Sequence, residues 1–249
     1  MNEPASSARR LDYDALAADY ARHRRVHPGV VDRLIETGRI GQTSRVLEVG
    51  CGSGNYLLLL RELTGCAARG LDPSGEMLAQ ARARPGAAEV TWHEGRAERP
   101  PFPDASFDLI FSVDVIHHVS DRPAYVREAR RLLVPGGRLC TATDSAEDIA
   151  RRRPLSSHWP ETIPVELARY PAIETLQVEL TAAGFAETVQ EHVELSYGLR
   201  DAAPYRARAF SSLHLIADDT FTRGLAHLES DLAAGPVACL SLYTLLWAS

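Results

Sequence analysis

The run Val46-Leu47-Glu48-Val49-Gly50-Cys51-Gly52-Ser53-Gly54 constrains this chain more than any other stretch. A short apolar segment enters three alternating glycines, and a helical pattern follows at once. Glycine removes the side chain where a strand must turn sharply into a helix, and it lets a ligand come close to the backbone amides there. A dinucleotide-binding fingerprint needs its third glycine one residue later, where Asn55 stands. That disfavours a nicotinamide-dependent oxidoreductase. Glu48 ahead of the turn and Asp72 at the end of the next apolar run suit a nucleoside without a pyrophosphate.

The wider pattern supports a layered fold. Residues 11–37 read as helical, with a break at Pro28-Gly29 and a second helix over Val30–Thr37. Strand patterns at Arg45–Val49, Ala67–Leu71, Val90–His93, Phe107–Val113 and Arg138–Thr143 then alternate with helical ones. These helices are Asn55–Leu63, Pro73–Arg82 and Pro123–Leu133; in the last, Tyr125, Val126, Ala129, Leu132 and Leu133 share a face. Such alternation predicts an α/β fold, a doubly wound and mostly parallel sheet covered on both sides. Beyond residue 143 the pattern changes. Asp144–Tyr170 reads as irregular, Ala172–Ala183 as a helix, Thr188–Leu195 as a strand and Cys239–Trp247 as a final strand. Residues 196–237 hold two helical patterns, too long for a hairpin loop, and read as an inserted cap.

Three later segments bear on the glycine turn. Asp72 follows Gly54 by eighteen residues, where a carboxylate can accept from both ribose hydroxyls; it also fits as a cap for the helix that Pro73 opens. The segment Leu71–Leu78 includes Met77, which alone would read as core. Next come His93-Glu94-Gly95-Arg96-Ala97-Glu98 and Ser112-Val113-Asp114-Val115-Ile116-His117-His118-Val119, with Leu133–Leu139 downstream. In open α/β sheets, ligands bind beyond the carboxyl ends of the strands, where these segments fall.

Across residues 45–143 these motifs resemble the class I S-adenosylmethionine (SAM) methyltransferases, and most of all the ubiquinone/menaquinone C-methyltransferase-like group, methyltransferase type 11. The resemblance implies a Rossmann-like, seven-stranded sheet whose last strand runs antiparallel. It implies SAM as cofactor, contacted by Glu48, Gly50, Cys51, Gly52, Gly54, Asp72, Pro73, Met77, Arg96, Ala97, Glu98, Ser112 and His117. Met77 would lie against the adenine. Many relatives carry Asp where this chain has Arg96, so backbone groups near Ala97 would substitute, with Glu98 the nearest acid. The N-terminal helices would fold over the cofactor, bringing Tyr20 and Arg24; Tyr13 and Tyr20 also fit as core on one helix face. His117 and His118 are the candidate catalytic bases, His117 first, against a structural role for either. The whole of residues 1–249 then reads as one methyltransferase domain. Residues 1–40 form a helical lid, 41–145 the SAM-binding core, and 146–170 with 196–237 the substrate cap.

Composition narrows the rest. A net charge of −6 argues against nucleic acid as a partner. No apolar run nears the ~20 residues that cross a bilayer, and the N-terminus lacks a signal-peptide core, so neither a membrane partner nor export is expected and the cytoplasm is the expected location. Four scattered cysteines show no metal-ligand spacing. All 27 basic residues are Arg, which excludes lysine-dependent covalent catalysis.

The expected reaction is in-line displacement onto O, N or C of a small molecule, in secondary or prenylquinone-like metabolism. It depends on alignment and exclusion of water. Arginines at 22–25, 151–153 and 206–208 suit an anionic acceptor, a carboxylate or an isoprenoid diphosphate, or else a solvated surface. His158, Trp159, Tyr197, Phe210 and His214 fit either an apolar pocket or plain packing. The alternatives are a peptide or protein methyltransferase, and a SAM-fold binding protein that transfers no methyl. Oligomeric state, monomer or homodimer, stays open.

Overall fold

The structure is a computed structural model and describes residues 25–249. Seven strands form one sheet in the order β3-β2-β1-β4-β5-β7-β6. They are β1 (Arg45–Val49), β2 (Ala67–Asp72), β3 (Val90–Glu94), β4 (Phe107–Val113), β5 (Leu133–Thr143), β6 (Thr188–Leu199) and β7 (Val237–Ala248). β1 to β5 pair in parallel, and β7 inserts antiparallel between β5 and β6. The reading of a mostly parallel sheet with an antiparallel last strand is therefore correct.

Period-two alternation builds a core on each face. Leu47, Val49, Leu71 and Ile110 face one way, onto α4 (Arg122–Leu132) and α8 (Ile173–Ala182). Val46, Leu109, Phe111 and Cys140 face the other, onto α1 (Pro28–Glu36) and α2 (Asn55–Thr64). Strands buried on both faces account for the near-continuous apolar runs. β1 feeds β2 on one side and borders β4 on the other, which opens a crevice at the carboxyl ends of the strands. The helix α3 (Gly75–Arg82) starts at this edge, with Ser74 Oγ accepting from the Met77 amide at 3.0 Å.

The second half is more helical than its sequence suggests. Asp144–Tyr170 is not irregular. It folds into α5 (Ala146–Arg151), α6 (Leu155–His158) and α7 (Thr162–Arg169). A reciprocal Ser145–Asp148 cap starts α5, and helices this short carry too few turns to show a period. The stretch 196–237 differs too. β6 runs on to Leu199, a single turn α9 (Ala203–Arg206) follows, and after a 3-10 turn at Ser211–His214 comes the one long helix α10 (Asp218–Ala234). Pro28 sits in the first turn of α1 instead of breaking it, and β5 begins at Leu133, through the Pro135-Gly136-Gly137 that reads as a stop. α6, α9 and α10 share a third core around Trp159, Tyr205, Phe221 and Leu228. Among the described residues no helix is long and apolar enough to cross a membrane.

Candidate active site

The turn after β1 is fastened to the end of β2. The amides of Gly50 and Cys51 donate to the Leu71 carbonyl at 2.7 and 3.1 Å. The Gly52 amide donates to Asp72 Oδ2 at 2.8 Å, and the Ser74 amide to Asp72 Oδ1 at 2.9 Å. Asp72 is buried, and both of its carboxylate oxygens are engaged by backbone amides.

The three glycines serve two purposes. A Cβ on Gly50 would meet Val115 Cγ2 at 2.4 Å, and one on Gly54 would meet Trp92 Cη2 at 2.6 Å. Those two are glycines because neighbouring side chains fill the space. Among the described residues, a Cβ on Gly52 would find only Met77 Sδ, at 3.9 Å, and the backbone there opens onto a cavity. Gly52 thus leaves room for a ligand.

That cavity has a volume of about 1080 Å³. Its near end is walled by Gly50, Gly52, Asp72, Pro73, Met77 and the Arg96-Ala97-Glu98 loop, all singled out by sequence. Asp72 closes the end of β2 beside the glycine turn, and the missing Cβ at Gly52 leaves room beside Met77. These residues fit SAM. Glu98 accepts from the Ser120 amide and hydroxyl at 3.1 and 2.7 Å. Burial pushes its carboxyl up, but the Ser120 hydroxyl and the nearby Arg96 outweigh that and hold it below the usual range. Both charged side chains of this loop are therefore engaged with protein, and Ala97 lines the cavity between them.

Other sequence candidates lie behind this wall. Glu48 shares the face of Val46, beneath α2, where it accepts from the Leu57 amide at 3.1 Å; burial raises its pKa well above the carboxylate range. Glu48 and Cys51 border a separate small space of about 40 Å³, with Gly50 and Gly52 on its other side. Gly54 caps α2 in the left-handed region, and Ser112 is buried beside the Tyr125 hydroxyl. Tyr13, Tyr20 and Arg24 lie outside the described residues.

His117 and His118, on a short turn after β4, line the middle of the cavity. His117 stacks on Tyr170, with ring centroids 3.9 Å apart and planes at 22°, and its other neighbour is His118 at 3.9 Å. His118 is exposed to the cavity while protein encloses its other sides. That enclosure and the Arg169 guanidinium push its pKa down to about 4, against the pull of Asp114.

The far wall is a charged network of which the sequence reading held only Arg152, in an arginine cluster, and Asp114. Arg152 reaches Asp144 at 2.6 Å and lies 3.9 Å from Glu166, which also meets Arg169 at 3.5 Å. Asp144 and Glu166 are buried, and burial raises the Asp144 pKa despite Arg152. Asp114 accepts from the Tyr243 hydroxyl at 2.7 Å. One signal was available: β1, β2, β4 and β5 each end in or beside a carboxylate, at Glu48, Asp72, Asp114 and Asp144, on the edge where ligands bind. Asp114 even sits at φ 58°, a left-handed conformation that Asp tolerates better than most residues.

The outer end is formed by the cap. Tyr197, Phe210 and His214 reach the cavity, whereas Trp159 is fully buried against Tyr205 and Phe221, and His158 bonds Asp231 outside it. Of the arginine clusters, Arg151, Arg206 and Arg208 pair with Glu147, Glu229 and Asp218. Among the described residues lining the cavity, Arg153 alone of four arginines has no carboxylate within 4.0 Å.

Residues 47–141 match the methyltransferase domain family as a whole, not its quinone-modifying members in particular. A 27-O-demethylrifamycin SV methyltransferase of Amycolatopsis mediterranei is 32% identical over 114 residues, 44% of this chain and 42% of its own. A malonyl-[acyl-carrier protein] O-methyltransferase of Erwinia pyrifoliae is 32% identical over 179 residues, 70% of this chain and 66% of its own. The chain thus spans 42% and 66% of the length of these two curated relatives. In fold it is similar to an Anabaena variabilis chain described as an antibiotic-pathway methyltransferase, with TM-score 0.72 and 21% identity over 91% of this chain and 98% of that one. It is also similar to a Haemonchus contortus phosphoethanolamine N-methyltransferase solved with S-adenosylhomocysteine, with TM-score 0.62 and 19% identity over 94% of this chain and 57% of that one. By its domain, its relatives and its sheet, the chain belongs to the class I SAM-dependent methyltransferases.

Proposed function

We propose that this protein transfers the methyl group of SAM to a hydroxyl of a sizeable, mostly apolar small molecule. The cavity carries this reading. At about 1080 Å³ it exceeds the usual ~300–1,000 Å³ of a single-ligand pocket, and it runs from the Asp72–Gly52 wall past the histidines to Tyr197 and Phe210. Its near end suits the cofactor, and its aromatic outer end suits the body of an acceptor. Two relatives are named for O-methylation, one of malonyl-[acyl-carrier protein] and one of a demethylrifamycin.

SAM supplies a sulfonium-bound methyl group that is already strongly electrophilic. The work of the chain is then alignment and removal of one proton. Asp72 and the Gly52 turn fix one end of the reacting pair, and the cap wall fixes the other. Of the two histidines we assign the proton to His118, because His117 is stacked on Tyr170 while His118 is the more exposed to the cavity. An imidazole with a pKa near 4 is a weak base. It suffices where a hydroxyl oxygen becomes strongly acidic as it gains a methyl group, so the proton moves late.

Among the described residues, three of the four cavity arginines are already paired with carboxylates, which favours an uncharged acceptor over a diphosphate. Arg153 supports a second reading, in which the acceptor is a single carboxylate. Incubation with SAM and a panel of hydroxylated aromatics, macrolactones, monocarboxylic acids and peptides tests both. The expected result is S-adenosylhomocysteine with an O-methyl ether. Methyl ester alone would favour the carboxylate, and turnover only with peptides would overturn the small-molecule reading.

A further inference from the structure

A group of ligand-type side chains lies outside the cavity, where α6 meets α10. His158 Nε2 is 3.0 Å from Asp231 Oδ2, and His227 Nε2 is 3.8 Å from the same oxygen. The three ligand atoms lie within 4.8 Å of one another, and the two imidazole centroids are 4.9 Å apart. His227 and Asp231 stand one turn apart on α10, so both face α6.

The hydrogen bonds behind His158 indicate what this group is for. Its Nδ1 lies 3.2 Å from the Pro154 carbonyl and 3.0 Å from Ser157 Oγ. The Ser157 hydroxyl donates to that carbonyl at 3.1 Å, so its oxygen is an acceptor toward the ring. A carbonyl can only accept, hence Nδ1 carries the proton. In a neutral imidazole Nε2 is then a bare lone pair, aimed at a carboxylate oxygen 3.0 Å away. Two acceptors at that separation need either a proton or a metal cation between them, and a third ligand-type atom, His227 Nε2, 3.8 Å from the same oxygen, favours the metal. Metal-bound histidines are held in the same way, through the other ring nitrogen bonded to a carbonyl.

The surroundings provide one rigid arm and two adjustable ones. The His158 side chain is only 7% exposed, while those of His227 and Asp231 are 63% and 45% exposed. Next to His158, Trp159 Nε1 donates to the Phe221 carbonyl at 3.0 Å, and a Cβ on Gly224 would meet that same nitrogen at 2.2 Å. The two helices are therefore in close, fixed contact here. Tetrahedral zinc with ligands near 2.0–2.2 Å needs ligand atoms ~3.3 Å apart, within reach of small rotations of the two exposed side chains.

We propose that His158, His227 and Asp231 bind one imidazole-preferring divalent cation, of which Zn²⁺ is the type, stapling α6 to α10 on the outer side of the cap. Two imidazoles and one carboxylate select such a metal over Mg²⁺ or Ca²⁺, which take oxygen ligands. The remaining positions face solvent, and none of the three residues lines the cavity, so the metal is a brace and takes no part in methyl transfer.

The test is calorimetric titration of ZnCl₂ into the chelator-treated whole chain, with MgCl₂ as control, alongside thermal melts of both forms. Expected are one Zn²⁺ per chain, no Mg²⁺ binding and a higher melting temperature with zinc. His227→Ala and Asp231→Asn should each weaken zinc binding by about tenfold or more while melting like the wild type without metal. Absence of zinc binding would overturn the proposal, and so would equal affinity in both variants. Histidine-ring NMR showing His158 doubly protonated at neutral pH in the wild type, unchanged by zinc, would assign the pair to an imidazolium–carboxylate contact instead.

Discussion

The Gly52 amide donates to Asp72 Oδ2 at 2.8 Å across twenty residues of sequence, so the acid that ends β2 holds the turn that ends β1. One side chain therefore shapes the glycine loop and also lines the cavity. Binding and local architecture are coupled at this contact.

The glycines should separate by their defects. Gly54→Ala forces a Cβ into Trp92 and places alanine at φ 76°, so it should destabilise the ligand-free protein by about 1–3 kcal/mol. Trimming Trp92 to Leu in the same chain should restore part of that loss. Gly52→Ala also places alanine at a positive φ of 49° but meets no such clash, so it should lose less stability than Gly54→Ala and weaken SAM binding more. Chemical denaturation and calorimetry of the two variants check this. Equal stability loss in both, with equal affinity, would contradict it.

His118 should titrate far below an ordinary histidine. With its folded pKa near 4 and an unfolded value near 6.5, the unfolded chain binds more protons between those pH values. The His118 share of stability is thus complete above about pH 6.5 and is lost as pH falls toward 4. Histidine-ring NMR across this range reads the midpoint directly. A His118 midpoint at 6 or above would remove the argument for a late proton transfer to a weak base.

Arg152 should be hard to replace alone. Its side chain is 17% exposed, and it sits between carboxylates that are 4% and 2% exposed, at Asp144 and Glu166. Arg152→Ala leaves both buried without it and should cost about 3–5 kcal/mol. Combining Arg152→Met with Asp144→Asn removes charge of both signs and should recover much of that loss. Urea unfolding of the single and double variants measures the difference.

The parts legible in the sequence are those fixed by local rules. The β1 strand, the glycine turn and Asp72 follow from apolar runs and a turn that needs left-handed residues, with Gly50, Gly52 and Gly54 all at positive φ. Strand parity was equally readable and would have moved Glu48: it shares the face of Val46, so it points beneath α2. The cap was less legible because its helices are short; α6 has four residues and α9 four, and neither completes two turns. The Asp144–Arg152–Glu166 group depends on how α5 and α7 dock, which no spacing in the sequence reveals.

Calorimetric titration of SAM into the purified chain, beside the Asp72→Ala variant, bears most directly on the site. One molecule should bind per wild-type chain, and the variant should lose about 1–3 kcal/mol of binding free energy. Wild-type protein that takes up no SAM, or a variant that binds it equally well, would contradict the assignment of the Asp72–Gly52 crevice to the cofactor.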